Sequence, residues 1–461
     1  MNDIVCISPV DGSEVARRRP AAESHVAAVL AGARQAQLEW AAVPLAERQA
    51  KMLDFLAAMK AQNEEIVPEL AMQMGRPVRY GGEIGSFEER VRAMVALSEA
   101  ALAPIEPAGK TGSRRLIKRV PAGLVLVVAP WNYPYLTAVN CIVPALLAGN
   151  AVVLKHSAQT ILVGDRFQTA MDRVGLPKHL FTTLPLDHAT TSRLIASGAF
   201  DHVNFTGSVE GGRAIERAAA GTFTTLGLEL GGKDPAFVRP DADLAFAVEN
   251  LVDGAFYNSG QCCCGVERIY VHDEIYRPFV EAFVDLASRY ALGNPLEAAT
   301  TLGPMAAARY AGIVRHHVAE ALGKGARAHL DRSRFPADRP GTAYLMPQVL
   351  TEVDHEMRVM TEESFGPVVG IMKVASDDEA VRLMNDSQYG LTASIWSEDA
   401  VATERIGDAL ATGTVFMNRC DYVDPVLAWT GVKNTGRGVS MSRLGFDALT
   451  RPRSFHLRIN H

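Results

Sequence analysis

Leu124-Val125-Leu126-Val127-Val128 is an unbroken apolar run with no residue suited to face water. A run of this kind reads as a strand buried on both faces, as in a parallel sheet covered by helices. The segments that follow keep an alternation. Thr137 to Leu147 has helical character and ends at Gly149-Asn150; Ala151 to Lys155 is a second strand and Ile161 to Val174 a second helix. Leu180 to Leu184 and His202-Val203-Asn204-Phe205 read as strands, Ser208 to Ala220 as a helix, and Thr224 to Leu230 closes the set. Repeated βαβ units imply an α/β fold with a doubly wound, Rossmann-like parallel sheet, whose ligands bind outside the carboxyl ends of its strands.

Upstream, Ser8-Pro9-Val10-Asp11-Gly12-Ser13 is a turn-rich entry. Helical patterns cover Ser24 to Trp40, Leu45 to Glu65 (Leu45, Met52, Leu56 and Met59 on one face) and Phe87 to Leu102. Residues 106–120 are polar and basic and read as an extended arm. Downstream, Asp241 is expected to cap a helix running to Tyr257. Ile275, Phe279, Phe283 and Tyr290 form a helical stripe, and Ser376-x-x-Glu379 is a capping box opening a helix that stops near Tyr389-Gly390. Ala393 to Trp396 and Val415 to Asn418 read as strands.

The chain has 461 residues, too long for one hydrophobic core, so two or three domains are expected. A net charge of -6 gives no electrostatic reason to expect nucleic acid or an anionic membrane as partner. The basic clusters Arg17-Arg18-Arg19 and Arg114-Arg115 with Lys118-Arg119 are short and read as solvated faces or subunit contacts. No run approaches the ~18 apolar residues needed to span a bilayer, and no apolar stretch follows the N-terminus as a secretory signal would require. Of six cysteines, Cys262, Cys263 and Cys264 are adjacent. That is not a disulfide framework, and it lacks the Cys-x2-Cys spacing and histidine pair of a zinc site, so no metal is expected. A reducing compartment, the cytoplasm, fits this usage.

A lone Cys is usually a small buried hydrophobe. The run Asn258-Ser259-Gly260-Gln261-Cys262-Cys263-Cys264 differs, because it lies between a helix-like segment and the apolar run Arg268-Ile269-Tyr270-Val271. A nucleophile at such a junction is held rigidly and exposed on one side, and Cys is the most nucleophilic common side chain near neutral pH. Together with Glu229-Leu230-Gly231-Gly232-Lys233 and Pro130-Trp131-Asn132-Tyr133-Pro134, this stretch resembles the aldehyde dehydrogenase superfamily over nearly the whole chain. The resemblance implies a cofactor domain (1–105 and 121–230), an α/β catalytic domain (231–433), and a small β oligomerisation arm with a C-terminal tail (106–120 and 434–461). It also implies a homodimer or homotetramer.

For the cofactor, Gly-x-Gly-x-x-Gly is absent, and Phe205-Thr206-Gly207-Ser208-Val209-Glu210-Gly211-Gly212 stands between strand and helix instead. Small residues there let a pyrophosphate approach the helix N-terminus. Arg213-Ala214 replace the Lys-Ser/Thr of a P-loop, which argues against NTP hydrolysis. The resemblance makes this turn, with Gly207, Ser208 and Gly212, the family's Phe-Thr-Gly-Ser turn. It places Lys155 on the adenosine ribose, Glu363 of Glu362-Glu363-Ser364-Phe365-Gly366-Pro367 on the nicotinamide ribose, Phe365 against the nicotinamide, and Trp131 and Leu230 at the cofactor's border. The family's usual Lys-Pro-x-Glu reads Lys155-His156-Ser157-Ala158 here. Without a carboxylate at 158, discrimination of NAD against NADP is expected to weaken, with Lys155 and Ser157 tolerating the phosphate.

The resemblance also implies the reaction. Cys263 attacks an aldehyde; Asn132 and the Cys263 backbone N–H stabilise the oxyanion; hydride leaves to NAD(P); Glu229 is the general base that hydrolyses the thioester. Relatives that pass the acyl group to coenzyme A generally lack a base at this position, so a free acid is the expected product. The family's Ser-Gly-x-Gly-Arg-Glu reads Asn434-Thr435-Gly436-Arg437-Gly438-Val439-Ser440 here, without the acid. Tyr133, Tyr257, Cys262, Cys264, Asp421, Tyr422 and Val423 are expected to line the substrate channel. The tyrosines favour an aromatic or medium-chain aldehyde, Asp421 and Asp424 a cationic amino-aldehyde. Arg268, or Arg419 if inward, would be needed to clamp a carboxylate. Two rivals remain: a cysteine hydrolase or acyltransferase, which would not need the dinucleotide turn, and a non-catalytic binding protein, which would not need Cys263 and Glu229.

Overall fold

The computed structural model describes residues 2–108 and 111–459, so residues 109–110 and 460–461 of the expected arm lie outside it. Two parallel sheets carry the fold. The first runs in the order Gly436–Arg437, Thr225–Glu229, His202–Thr206, Leu124–Val128, Ala151–Lys155, Phe181–Thr183. All its pairs are parallel except the short Gly436–Arg437 edge. Leu124–Val128 and Ala151–Lys155 are buried at every position, as their unbroken apolar sequence requires. The strand order reverses between Leu124–Val128 and His202–Thr206. A crevice therefore opens beyond their carboxyl ends, where Trp131-Asn132 and Gly207-Ser208 follow.

The second sheet runs Arg327–Ala328, Gln348–Thr351, Val368–Val374, Val266–His272, Asp234–Val238, Thr392–Trp396, Thr414–Met417. The loops entering three of its strands carry Gly231-Gly232-Lys233, Cys262-Cys263-Cys264 and Glu363-Ser364-Phe365. One sheet thus offers the carboxyl ends of its strands, the other the amino ends, to the same space. Apart from these, Ser113–Pro121 pairs antiparallel with Thr450–Arg458 over its whole length, forming the ribbon that the basic segment suggested. Within the basic clusters, Arg17 pairs with Asp3 and Glu14, Arg18 with Asp165, Arg114 with Glu106, and Arg119 with Asp447.

Three expectations are corrected. The helix expected from Leu45 to Glu65 is two, Leu45–Lys60 and Asn63–Met74, because the buried Gln62 amide folds onto Ala58 O and Arg166 O at the junction. Asp243, not Asp241, caps the helix Leu244–Phe256, accepting from Phe246 N at 3.1 Å. Asp241 Oδ2 instead accepts from Ser397 Oγ, Glu398 N and Asp399 N, tying down the loop after Thr392–Trp396. The helix opened by Ser376 ends at Asn385 rather than near Tyr389, since the Asn385 amide bonds Ala409 O and Ala411 N and the chain turns away.

Candidate active site

The helix Leu244–Phe256 gives way to a tight turn in which Asn258, Ser259 and Gly260 are all left-handed (φ 52°, 57° and 67°). Such a run is costly outside glycine and persists only where its surroundings over-determine it. Here they do. Ser259 Oγ donates to Gly303 O, Gln261 Nε2 to Asn258 O, and Ala306 N to Gln261 Oε1. A Cβ on Gly260 would sit 2.2 Å from Gly366 O, so only glycine lets the cysteine turn close against the Phe365-Gly366-Pro367 loop.

This turn presents Cys263, partly exposed, to a cavity of about 2160 Å³, which Cys262 and Cys264, both more deeply buried, also line. Cys262 Sγ and Cys264 Sγ lie 3.5 Å apart and both donate to Asp421 Oδ1, at 2.8 and 3.2 Å. Hydrogen bonding within the thiol cluster holds Cys263 well below the ordinary thiol value and its two neighbours well above it. Of the three, Cys263 is the one poised as thiolate.

Asn132 reaches the same spot from the first sheet. Its Nδ2 donates to Gln261 O at 3.2 Å, which leaves its second N–H for an oxyanion. Its position is fixed by a residue the sequence did not single out. Buried Arg76 donates to Asn132 O (2.7 Å) and Asn258 Oδ1 (3.2 Å) and pairs with buried Glu83 at 2.7 Å. Glu83 in turn accepts from the Tyr135 and Leu136 N–H groups at the start of helix Pro134–Leu147. One buried ion pair therefore registers the Asn132 loop against the cysteine turn.

Glu229 ends the strand Thr225–Glu229 and faces the cavity. Its Oε1 accepts from Ser440 Oγ at 2.5 Å and its Oε2 from Thr206 Oγ1 at 3.3 Å. Burial raises its pKa, while the Ser440 hydroxyl opposes the rise. Ser440 thus fills the place where the family's acid is missing, with a donor pinned to the base. Removing it should raise the Glu229 pKa further. A general base is lost as pH falls through its pKa, so Ser440→Ala should move the acid limb of turnover to higher pH. A hydrogen bond to a charged group is worth about 1.5–3 kcal/mol, which makes the expected loss roughly tenfold at acidic pH. A kcat–pH profile that coincides with that of the parent protein would show that Ser440 does not tune the base. Arg90 was also not anticipated: it is buried, lines the cavity, and its charge lowers the Glu229 pKa.

The rest of the cavity runs along the first sheet. Lys155 is buried at its strand end, and its ammonium makes no hydrogen bond or ion pair among the described residues. Ser157 Oγ accepts from Gln159 N, and Ala158 is an exposed methyl on the cavity wall. Ser208 caps the helix Val209–Ala219, accepting from Gly211 N. Gly207 and Gly211 line the cavity; Gly212 does not, since it packs on Leu230, where a Cβ would meet Leu230 Cδ2 at 2.6 Å. Leu230 N donates to Thr435 O. Trp131 stacks on Tyr310 (5.1 Å) and meets Phe365 edge-on (5.5 Å). Glu363 accepts from Gly232 N at 3.0 Å, and burial, reinforced by the charge of Glu267, pushes it up to about 8. A buried lysine without a hydrogen-bond partner among the described residues, a helix N-terminus and an aromatic wall fit a dinucleotide.

The convergence of Cys263, Asn132 and Glu229 from the two sheets on one cavity agrees with comparison to known proteins. Residues 1–455 match the model of the aldehyde dehydrogenase family. The chain belongs to the aldehyde dehydrogenase family. Among relatives of this aldehyde dehydrogenase, a succinate-semialdehyde dehydrogenase [NADP(+)] of Mycobacterium avium is 32% identical, covering 96% of this chain and 94% of that protein. A betaine aldehyde dehydrogenase of Bacillus subtilis is 30% identical over 96% and 92%. A solved structure of betaine aldehyde dehydrogenase from Staphylococcus aureus with NAD+ superposes with a TM-score of 0.93 at 26% identity, over 100% of this chain and 93% of that one. The chain is thus an NAD(P)-dependent aldehyde dehydrogenase that oxidises an aldehyde to the carboxylic acid.

Tyr133, Tyr257, Tyr422, Val423, Trp429 and Asp421 also line the cavity. Burial pushes Asp421 up to about 7. Neither Arg268 nor Arg419, the two candidates for a carboxylate clamp, lines the cavity. Arg268 is buried on Lys233 O, Leu383 O and Met384 O, and Arg419 lies 3.4 Å from the centre of the Tyr422 ring. Asp424 does not line the cavity; its Oδ1 accepts from Val426 N. Among the described residues, no helix is long and apolar enough to cross a membrane.

Proposed function

We propose that the Cys263 thiolate attacks the aldehyde carbonyl to give a thiohemiacetal whose oxyanion is held by Asn132 Nδ2 and the Cys263 N–H. When bound, NAD(P)+ supplies the hydride acceptor. The acyl group is left as a thioester on Cys263, and Glu229 takes a proton from the water that hydrolyses it. The observation that carries this reading is the common cavity into which Cys263, Asn132 and Glu229 all open. Lys155, Ser157, Gly207 and Ser208 would hold the adenosine and pyrophosphate end, and Trp131, Leu230, Glu363 and Phe365 the nicotinamide end.

For the substrate, an aromatic or medium-chain aldehyde without a carboxylate is supported best: three tyrosines and a tryptophan line the channel, and Asp421 is one of the acids beside them. That same acid supports a cationic amino-aldehyde as second reading. For the cofactor, an exposed Ala158 beside a Lys155 without a hydrogen-bond partner among the described residues supports use of NADP as well as NAD. The cationic ribbon of Ser113–Pro121 and Thr450–Arg458 supports a homodimer or homotetramer, and six free thiols support a cytoplasmic enzyme.

The test is NAD(P)H absorbance with aromatic, aliphatic, amino- and carboxy-aldehydes, alongside Cys263→Ala. The expected result is turnover with both cofactors that disappears in the variant, and poor use of carboxy-aldehydes. A thousandfold or greater preference for NAD would overturn the cofactor reading. Turnover that survives in Cys263→Ala would overturn the mechanism.

A further inference from the structure

The sequence spacing of the three cysteines argues against a metal, but the fold gathers them differently. The Sγ atoms of Cys262, Cys263 and Cys264 all lie within 4.8 Å of one another. Asp421 Oδ1 closes the cluster at 2.8 Å from Cys262 Sγ and 3.2 Å from Cys264 Sγ. We propose that these four groups form an inhibitory site for a thiophilic divalent cation such as zinc, with three sulfurs and one carboxylate oxygen as donors.

The dimensions suit such an ion. Zinc takes thiolates at about 2.3 Å and carboxylate oxygen at about 2.0–2.2 Å in a tetrahedron, which sets its sulfurs roughly 3.8 Å apart. Cys262 Sγ and Cys264 Sγ are already 3.5 Å apart, and Asp421 Oδ1, now 2.8 and 3.2 Å from them, would withdraw to roughly 3.6 Å to admit the ion. Both thiols direct their protons at one carboxylate oxygen, and a cation at that centre replaces those protons. The S–H bonds of Cys262 and Cys264 are exchanged for S–metal bonds and their two protons leave to solvent, while Cys263 binds as the thiolate; no electron is transferred. Left-handed Asn258, Ser259 and Gly260 fix the turn that carries the donors, so part of the ordering cost is met by the fold. The site takes the sulfur that the aldehyde needs, so metal and aldehyde exclude one another.

Metal binding requires no turnover, so its test stands apart from that of the aldehyde reaction. Titrating the full-length, reduced protein with Co2+ should give the visible and near-ultraviolet bands of tetrahedral cobalt thiolate, saturating at one equivalent and bleached by Zn2+. Zn2+ should inhibit turnover in competition with aldehyde, and EDTA should restore it. In Cys262→Ser/Cys264→Ser the cobalt bands should vanish, and binding should weaken more than roughly 100-fold, beyond the cost of an outer-shell partner. NADH binding followed by fluorescence reports whether that variant is folded, and Asp421→Asn offers a second variant with all three sulfurs intact, in which binding should also weaken. Absence of tetrahedral bands in the parent protein would overturn the site. So would bands and inhibition that persist in the folded double variant, since Cys263 would then bind metal through other groups.

Discussion

In Glu229→Gln, NADH appears in a burst stoichiometric with the protein and then turnover slows by about 10²–10⁴-fold, the range a positioned general base contributes. The reason is the division of labour in the cavity. Forming the thioester requires the Cys263 thiolate and the Asn132 amide, neither of which depends on the Glu229 charge for its position: Asn132 is held by Arg76 and Asn258, the cysteines by their own turn and Asp421. Hydrolysis requires a base, and the Gln amide keeps the hydrogen-bonding shape without accepting a proton. Rapid-mixing absorbance with excess aldehyde checks this. A variant that lacks the burst would place Glu229 in the first half-reaction, and unchanged steady-state turnover would remove it from catalysis altogether. In the parent protein the same group sets the acid limb. Its pKa is raised by burial, so the hydrolytic step is present at high pH and is lost as pH falls through that raised value.

The second large effect lies behind the Glu363-Ser364-Phe365 wall of the cavity. Lys233 and Glu267 form a buried ion pair, and Glu267 also accepts from Ser364 N (2.9 Å) and Phe365 N (2.8 Å). Phe365 is left-handed at φ 50°, a conformation those two bonds help to hold. Glu267→Gln leaves the Lys233 charge without its partner in the interior, which typically costs about 3–5 kcal/mol. The expected outcome is a large drop in the denaturation midpoint together with weaker NADH binding, because Glu363 and Phe365 ride on the same loop. Adding Lys233→Met should return much of the stability, since a buried pair replaced on both sides by neutral groups is often near neutral. A double variant no more stable than Glu267→Gln would show that packing, rather than the unpaired charge, is what the substitution damages.

The legibility of the molecule divides along physical lines. The first sheet was readable at its centre because Leu124–Val128 and Ala151–Lys155 are short, apolar and closely bounded, so burial on both faces shows in the sequence itself; both have the expected bounds, while the Gly436–Arg437 edge gave no such signal. The second sheet was partly hidden. Asp234–Val238 begins with a charged residue and Pro235, and Val368–Val374 carries Lys373, so neither reads as a strand although both lie inside the sheet. Their pairing is non-local, and side-chain pattern does not record it. Capping told a similar story: Ser376 and Asp243 both cap, but between Asp241 and Asp243 the choice fell to the Ser397–Asp399 loop packed alongside.

The residues expected to carry the chemistry were legible in the sequence. Cys263, Glu229, Asn132, Lys155, Glu363 and Phe365 all reach one cavity, because a reactive group must be of a given residue type and such types are visible as letters. What holds those groups was decided only by the tertiary structure. Arg76 and Glu83, Lys233 and Glu267, and the Ser440 hydroxyl on the base act through contacts up to 211 residues apart. A buried charge is tolerable only beside its partner, and that partner is chosen by the fold, not by the neighbouring letters. The thiol cluster shows both sides: the run of three cysteines was plain from the start, but that Asp421 closes it became known only when the chain after the last strand of the second sheet returned to meet it.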